Sequence, residues 1–306
     1  MSTPTGPANG LPVRMPRPRQ TGRHRRPEPA SAPQGAPALV LAVPGTPSAA
    51  SRGLAEELIS IGRSELPGLE VRIGYLEGGT GEDAEFPSLS SVLDTVAAER
   101  TARAEFARAA GQDVPRPTGP DAVVVPLLAG PDADLLRRTR RALMDSTAAA
   151  ELADVLGPHP LLAEALHVRL SEAGLARADR ARLFTVTTAA DGIILATTGG
   201  EEAVQAAGIT GMLLAARLAV PVIAAALDDE GAVAAVAARL RESGSTNLAL
   251  APYLIGPETP EGLLDTACKE AECRAAETLG AYPALGKRAV AQYAAALGIP
   301  QPAGAR

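Results

Sequence analysis

Similar sequence segments occur twice in this chain in the same order, and this internal duplication limits the folds that the chain can adopt. VVVPLLAGPD at residues 123–132 is matched 126 positions later by ALAPYLIGPE at residues 249–258. DVLGPHPLLAEAL at residues 154–166 is matched 123 positions later by ETLGAYPALGKRA at residues 277–289. Two offsets within three residues of each other are hard to obtain by chance, so we interpret the chain as two copies of one module.

A third and looser pair indicates a longer insertion in the first copy. ALVLAVPGT at residues 38–46 is matched by GIILATTGG at residues 192–200, at an offset of about 154. Because this offset is larger than those of the later pairs, the first copy has extra residues. We assign them to a helix around residues 98–112.

Short apolar runs alternate with helix-compatible segments from Pro37 onward. The apolar runs are nearly continuous, as in parallel strands buried on both faces, and they are Ala38–Val43, Val71–Leu76, Ala122–Leu128, Ile193–Thr197, Val220–Leu227 and Leu248–Leu254. The predicted helices are Ser48–Glu65, Ser88–Ala110, Asp134–Leu156, Pro160–Glu172, Glu201–Leu218 and Gly231–Glu242. We therefore predict an α/β fold of two tandem domains, each a small parallel sheet with helices on both faces.

Composition divides the chain into a tail and two domains. Residues 1–36 are rich in Pro and Arg and lack an apolar period, which predicts a disordered basic tail before domains over residues 37–175 and 176–306. A net charge of −6 and an aromatic content of 2% argue against a nucleic-acid partner. No segment has the roughly 18 apolar residues of a membrane span. We expect a cytoplasmic protein without a membrane partner, and a monomer because the two copies already form a pseudo-dimer.

Glycine-containing loops follow the predicted strands in both copies. Glycine lets a backbone approach a ligand closely, and the helix that follows offers free N–H groups to an anion. The alternative is that these segments are tight strand-to-helix turns without a ligand. The candidate ligand-binding residues in these loops are Gly45, Thr46, Gly130, Pro131, Gly199 and Gly256.

The sequence segments of this chain and their order resemble those of the tandem class II tetrapyrrole chelatases, the CbiX-like sirohydrochlorin cobalto- and ferrochelatases. The resemblance extends from about residue 38 to 295, and it rests on ALVLAVPGT, EVRIGYLEG, FPSLSSVLD, AVVVPLLAG, LGPHPLLAEAL and APYLIGP. It implies a two-lobed α/β protein whose cleft receives sirohydrochlorin, an octacarboxylate macrocycle. A divalent metal, Co²⁺ or Fe²⁺, would then be the second substrate.

The chain departs from this family at the histidines that handle the metal. The HGSR-like motif of the family aligns with Pro44-Gly45-Thr46-Pro47, so proline stands where a histidine is usual. The second histidine, in a GYH-like motif, aligns with Asp132. Metal insertion needs a metal ligand and a base that accepts the pyrrole protons, and histidine serves both purposes because its pKa lies near neutrality.

Carboxylates are the remaining candidates for this chemistry. We predict Asp132 as a catalytic residue and metal ligand, with Glu77, after the second strand, as a further ligand. Other acids fall at strand ends and either join them or are solvated and cap the next helices, as Asp134 would; they are Asp134, Asp228, Glu258 and Glu261. Of the histidines, His24 lies in the tail, His159 is predicted to be structural, and the sequence does not decide between a structural and a functional role for His167.

Two functional hypotheses follow from these residues. The first is a chelatase-like enzyme of tetrapyrrole metabolism in which carboxylates replace the histidines. The second is a catalytically inactive, chelatase-derived binding or regulatory protein that keeps the cleft. The missing histidines favour the second hypothesis, and the family resemblance favours the first.

Overall fold

The computed structural model shows two α/β halves that follow one another along the chain. The predicted basic tail lies almost entirely outside the described part of the chain. The structure describes residues 31–33, 35–81, 83–112, 119–176 and 189–299.

The first half is a four-stranded parallel sheet with the strand order β2-β1-β3-β4. Its elements are β1 (Ala38–Val43), α1 (Ala49–Glu65), β2 (Val71–Tyr75), α2 (Leu89–Ala109), β3 (Ala122–Pro126), α3 (Ala133–Met144), β4 (Ala150–Leu152) and α4 (Pro160–Glu172).

The second half repeats this order as β6-β5-β7-β8, again parallel throughout. Its elements are β5 (Gly192–Thr197), α5 (Gly200–Leu218), β6 (Val222–Ala226), α6 (Ala232–Glu242), β7 (Leu248–Pro252), α7 (Leu263–Glu270), β8 (Arg274–Ala275) and α8 (Pro283–Ala296). Two similar halves of this kind confirm the predicted fold class. The largest difference is that α2 has 21 residues and α6 has 11, so α2 contains much of the predicted insertion.

Strands β1 and β3 are apolar at every position because each of their faces is covered. Leu41 and Val125 pair across β1 and β3 and point into a core that both halves share. Val40 and Val124 point to the opposite face, where they pack with Leu93 of α2. This double burial is the physical reason for the continuous, non-alternating pattern of the strands.

The last helix of each half packs across the molecule against the other half. Helix α8 lies against α1 and β3, and α4 lies against α5 and β7. Two arginines form hydrogen bonds between the halves. Arg169 of α4 donates to the Leu279 carbonyl at 2.9 Å, and Arg288 of α8 donates to the Leu156 carbonyl at 3.1 Å. The Tyr293 hydroxyl of α8 also donates to the Pro37 carbonyl at 2.8 Å. One core therefore runs through both halves.

The predicted helix over Asp134–Leu156 is wrong in its second half. Helix α3 ends at Met144, and β4 follows at Ala150–Leu152 as the edge strand of the first sheet. An alanine-rich segment is compatible with a helix, but its backbone pairs with β3 through tertiary contacts. The equivalent strand β8 has only two residues, too few for a recognisable pattern.

The long helices pack against the sheets. Helix α5 has 19 residues, and its buried positions, among them Ala207 and Leu214, face the core. Within the described ranges, no helix combines the length and the apolar character that crossing a membrane requires.

Candidate functional site

The glycine-containing loops meet at the carboxyl ends of the two sheets. Gly45, after β1, has a positive φ of 76° and lies directly against the loop that follows β7. A Cβ atom at Gly45 would come within 1.8 Å of the Pro257 carbonyl oxygen. Only glycine fits here, because the loop after β7 occupies the space that a side chain would need.

The second half forms the equivalent contact in the opposite direction. Gly199, after β5, has a φ of 104° and lies against the loop that follows β3. A Cβ atom at Gly199 would be 2.8 Å from both the Pro131 carbonyl oxygen and the Asp132 Cα atom. Two pseudo-symmetric loop contacts thus close the predicted cleft, and we call them the reciprocal loop contacts.

A small cavity lies between the reciprocal loop contacts. Its volume is about 10 Å³, which is about the space that one water molecule needs. This cavity is too small for a tetrapyrrole. The cavity is lined by Leu128, Ala129, Gly130, Asp132, Thr197, Thr198, Tyr253, Leu254 and Glu258.

Asp132 lies at this cavity and caps helix α3. Its Oδ1 atom accepts hydrogen bonds from the backbone N–H groups of Asp134 and Leu135 at 3.1 and 3.0 Å. The prediction that Asp134 caps the helix is therefore wrong by two positions, because the helix begins at Ala133. Asp134 instead pairs with Arg137 at 2.6 Å. An aspartate at the N-cap satisfies otherwise unpaired N–H groups, so Asp132 has a structural role.

Glu77 does not line the cavity that Asp132 lines. One of its carboxylate oxygens pairs with Arg138 at 3.0 Å, and the other accepts a hydrogen bond from the Thr46 hydroxyl at 3.3 Å. The two predicted metal ligands therefore lie in different surroundings. Thr46, predicted to bind the substrate, is a partner of Glu77.

Glu258 is the counterpart of Asp132 in the second half, 126 positions later, and it lies at the same cavity. Its two carboxylate oxygens accept hydrogen bonds from the N–H groups of Ile255 and Gly256 at 2.5 and 2.8 Å. Burial raises the pKa of Glu258 despite these bonds, and the negative charge of Asp132 raises it further. The repeat offset alone could have placed these two acids opposite each other.

The raised pKa of Glu258 predicts a pH-dependent contribution to stability. A carboxyl group whose pKa is higher in the folded state stabilises the fold fully below its ordinary pKa of about 4.3. This contribution is lost as the pH rises through the folded-state pKa. We therefore expect acidification from neutral pH towards the ordinary glutamate pKa of about 4.3 to raise the free energy of unfolding of the wild type relative to Glu258→Gln.

Urea unfolding of both proteins across this pH range measures the difference, with Glu261→Gln as the control because Glu261 is exposed. The control should follow the wild type at every pH. Parallel pH profiles for the wild type and Glu258→Gln would contradict the assignment.

The two described histidines have structural partners and do not line the cavity. His159 caps α4, and its Nδ1 atom accepts a hydrogen bond from the Leu161 N–H at 3.1 Å. Desolvation lowers its pKa, with a smaller contribution from Arg288. His167 is buried in α4 and accepts a hydrogen bond from Arg217 of α5 at 2.7 Å. His24 lies outside the described residues.

The remaining predicted site residues form packing contacts. Gly130 lies under the ring of Tyr253, where a Cβ atom would be 3.3 Å from the ring. Gly256 has a φ of 141° and lies near Thr278 and Leu54. Among the residues that the structure describes, no three histidines, cysteines or acids come together in a group able to hold a metal ion.

Comparisons with known proteins leave the family open. The chain matches no family model and no curated protein. Among solved structures it is similar to a sugar ABC transport system substrate-binding protein from Bordetella parapertussis 12822, with 13% identity and a TM-score of 0.33 over 90% of this chain and 84% of that chain. A similarity at this level carries no argument about function.

Proposed function

We propose that this protein is a chelatase-derived binding protein that takes up an anionic tetrapyrrole without inserting a metal. The observation that carries the proposal is that Asp132, Glu77 and Glu258, the three acids best placed for metal chemistry, already have structural partners. Asp132 caps α3, Glu77 pairs with Arg138, and Glu258 binds the N–H groups of its own turn.

Metal insertion would require groups that these contacts occupy. A chelatase must hold an exchangeable M²⁺ ion beside the macrocycle and accept two pyrrole protons. Imidazole suits Co²⁺ and Fe²⁺ better than oxygen donors do, but Pro44 stands at the first histidine position and Asp132 at the second. These substitutions favour binding without metal insertion.

Exposed arginines near the cleft support the binding part of the proposal. Helix α3 begins at the loop that carries Asp132 and has four exposed arginines, and a ligand with many carboxylates is attracted by such a surface. Because the cavity holds only about 10 Å³, binding in the cleft requires the reciprocal loop contacts to separate. The four arginines are Arg137 and Arg138, which pair with Asp134 and Glu77, and Arg140 and Arg141.

One observation favours the second candidate, an active chelatase. Asp132 and Glu258 lie at one cavity, and the raised pKa of Glu258 makes its carboxylate a better proton acceptor than an ordinary glutamate. In such an enzyme this pair would receive the pyrrole protons.

The test is a titration with sirohydrochlorin followed by addition of Co²⁺ or Fe²⁺, recorded by absorption beside a protein-free control. We expect a change in the tetrapyrrole spectrum on binding and metal insertion no faster than in the control. Protein-dependent insertion that is lost in Asp132→Asn would establish the chelatase instead. An unchanged spectrum would overturn the proposal.

The arginine surface gives a second prediction for the same titration. We expect Arg140→Gln/Arg141→Gln to weaken tetrapyrrole binding about fivefold, or about 1 kcal/mol, because two exposed charge pairs are lost. Arg239→Gln is the matched control, since Arg239 is exposed at an equivalent position along α6, a helix that does not begin at the loop that carries Asp132. Equal affinities for the double variant and the wild type would exclude this surface as the binding surface.

A further inference from the structure

Helix α7 ends in a turn that brings the two cysteines of the chain together. Glu272 adopts a left-handed conformation with a φ of 47°, although it is not a glycine. The Cys273 N–H donates to the Cys268 carbonyl at 3.0 Å, and the Glu272 N–H donates to the Lys269 carbonyl at 3.3 Å. This pair of hydrogen bonds defines a Schellman motif, in which the side chains at the positions of Cys268 and Cys273 commonly contact each other.

The backbone geometry allows a bond between the two sulfur atoms. Standard bond lengths along the Cys273 N–H to Cys268 carbonyl hydrogen bond limit the Cα–Cα separation to about 7 Å, and bends along this route shorten it further. Disulfides usually have Cα–Cα separations of about 4.4–6.8 Å. The two cysteines are free thiols, and both are partly exposed.

Both cysteines also line one open cavity of about 560 Å³ on the second half. Three cationic side chains, Arg241, Lys269 and Arg274, line the same cavity with one acid, Glu272, which pairs with Arg241 at 3.7 Å, so positive charge is in excess. A cavity that combines two neighbouring thiols with positive charge favours the approach of an anionic thiol or disulfide compound. The spacing of the cysteines in the sequence does not suggest this site, because it is not a CxxC pattern.

We propose that Cys268 and Cys273 form a reversible intrachain disulfide by exchange with an anionic low-molecular-weight disulfide. One cysteine thiolate attacks the small disulfide and forms a mixed disulfide while one small thiol leaves. The second cysteine thiolate then attacks the protein sulfur of the mixed disulfide, and the second small thiol leaves. The protein loses two protons and two electrons, and the small disulfide gains them and is reduced to two thiols.

The disulfide would link the last turn of α7 to the start of β8, the edge strand of the second sheet. Arg241 of α6 donates to the Ala271 carbonyl at 2.7 Å in the same turn, so α6 is joined to this region as well. Oxidation would therefore stiffen one end of the second sheet without touching the reciprocal loop contacts. The inference is independent of the proposed tetrapyrrole binding.

The environment of the thiols determines how fast the exchange proceeds. Burial raises the pKa of Cys273 to about 11, with a smaller contribution from neighbouring Cys268, and burial also raises the pKa of Cys268. Because the thiolate is the attacking species, little of it is present at neutral pH. We expect the rate of disulfide formation to rise about tenfold per pH unit between about pH 7 and 9.

The experiment incubates the full chain with glutathione disulfide, blocks free thiols by alkylation, and measures the products by mass spectrometry. We expect the wild type to lose two hydrogens and to yield one fragment in which Cys268 and Cys273 are joined. In Cys268→Ser a stable mixed disulfide should accumulate on Cys273. Two alkylatable thiols after long incubation at about pH 9, or a mixed disulfide on each cysteine of the wild type, would overturn the proposal.

Variants at Glu272 test the role of the turn. Glu272→Gly keeps the left-handed conformation without strain, whereas Glu272→Val opposes it because a β-branched residue disfavours positive φ. At equilibrium with a glutathione buffer, we expect the ratio of disulfide to dithiol to be about tenfold lower in Glu272→Val than in Glu272→Gly. Equal ratios in these two variants would show that the turn does not direct the bond.

Discussion

Replacing Gly45 with alanine is expected to lower the free energy of unfolding by about 4 kcal/mol. The added Cβ atom would lie 1.8 Å from the Pro257 carbonyl oxygen, so one of the reciprocal loop contacts has to separate. The positive φ of 76° adds backbone strain for any residue with a side chain. Urea unfolding monitored by circular dichroism measures the loss.

Gly53→Ala is the matched control for this substitution. Gly53 lies exposed within α1, and a Cβ atom there would meet no atom within 4 Å. Alanine should therefore stabilise the helix by about 0.5–1 kcal/mol. If Gly45→Ala changed stability no more than Gly53→Ala does, the close contact between the two halves would be disproved.

Replacing Tyr253 with alanine is expected to lower the free energy of unfolding by a similar amount, about 4 kcal/mol. Tyr253 follows β7 of the second half, is fully buried, and reaches Gly130 and Gly157 of the first half. Burial raises the pKa of its hydroxyl to about 12, and this hydroxyl accepts a hydrogen bond from Thr210 at 3.2 Å. The truncation leaves a cavity at the junction of the halves.

Two further variants separate the contributions of the ring and the hydroxyl group. Tyr253→Phe keeps the ring and should cost about 1 kcal/mol, because only the bond with Thr210 is lost. Phe106→Ala is the control for aromatic truncation, since 78% of Phe106 is exposed, and its effect should be within about 0.5 kcal/mol. A loss in Tyr253→Ala no larger than in Tyr253→Phe would mean that the ring does not join the halves.

Much of the fold could be predicted because the duplication and the continuous apolar strands are local signals. Strand β1 has the predicted bounds, and the other five predicted strands differ from the observed ones by at most two residues at either end. Strands β4 and β8 could not be predicted in this way. They have three and two residues, and only their pairing with β3 and β7 makes them strands.

The sequence predicts that the loops after the strands lie close together, but not which residues of these loops contact each other. The sequence places glycines and acids after the strands, and the structure brings those loops to one place. The contact of Gly45 with Pro257 joins residues more than 200 positions apart, and no local pattern contains that information. Asp132 likewise has a carboxylate that could bind a metal, and it also lies where an N-cap residue could lie. Only the start of α3 at Ala133 shows that it is the N-cap.

Each half packs its last helix, α4 or α8, against the core of the other half, and this arrangement affects how the chain folds. A single copy of the module would lack one wall of its core, and it would have to borrow that helix from another molecule, so its folding would depend on protein concentration. Joining two copies in one chain supplies the borrowed helix at an effective concentration on the order of millimolar. Folding then becomes a reaction of one molecule, and its yield is independent of how much protein is present.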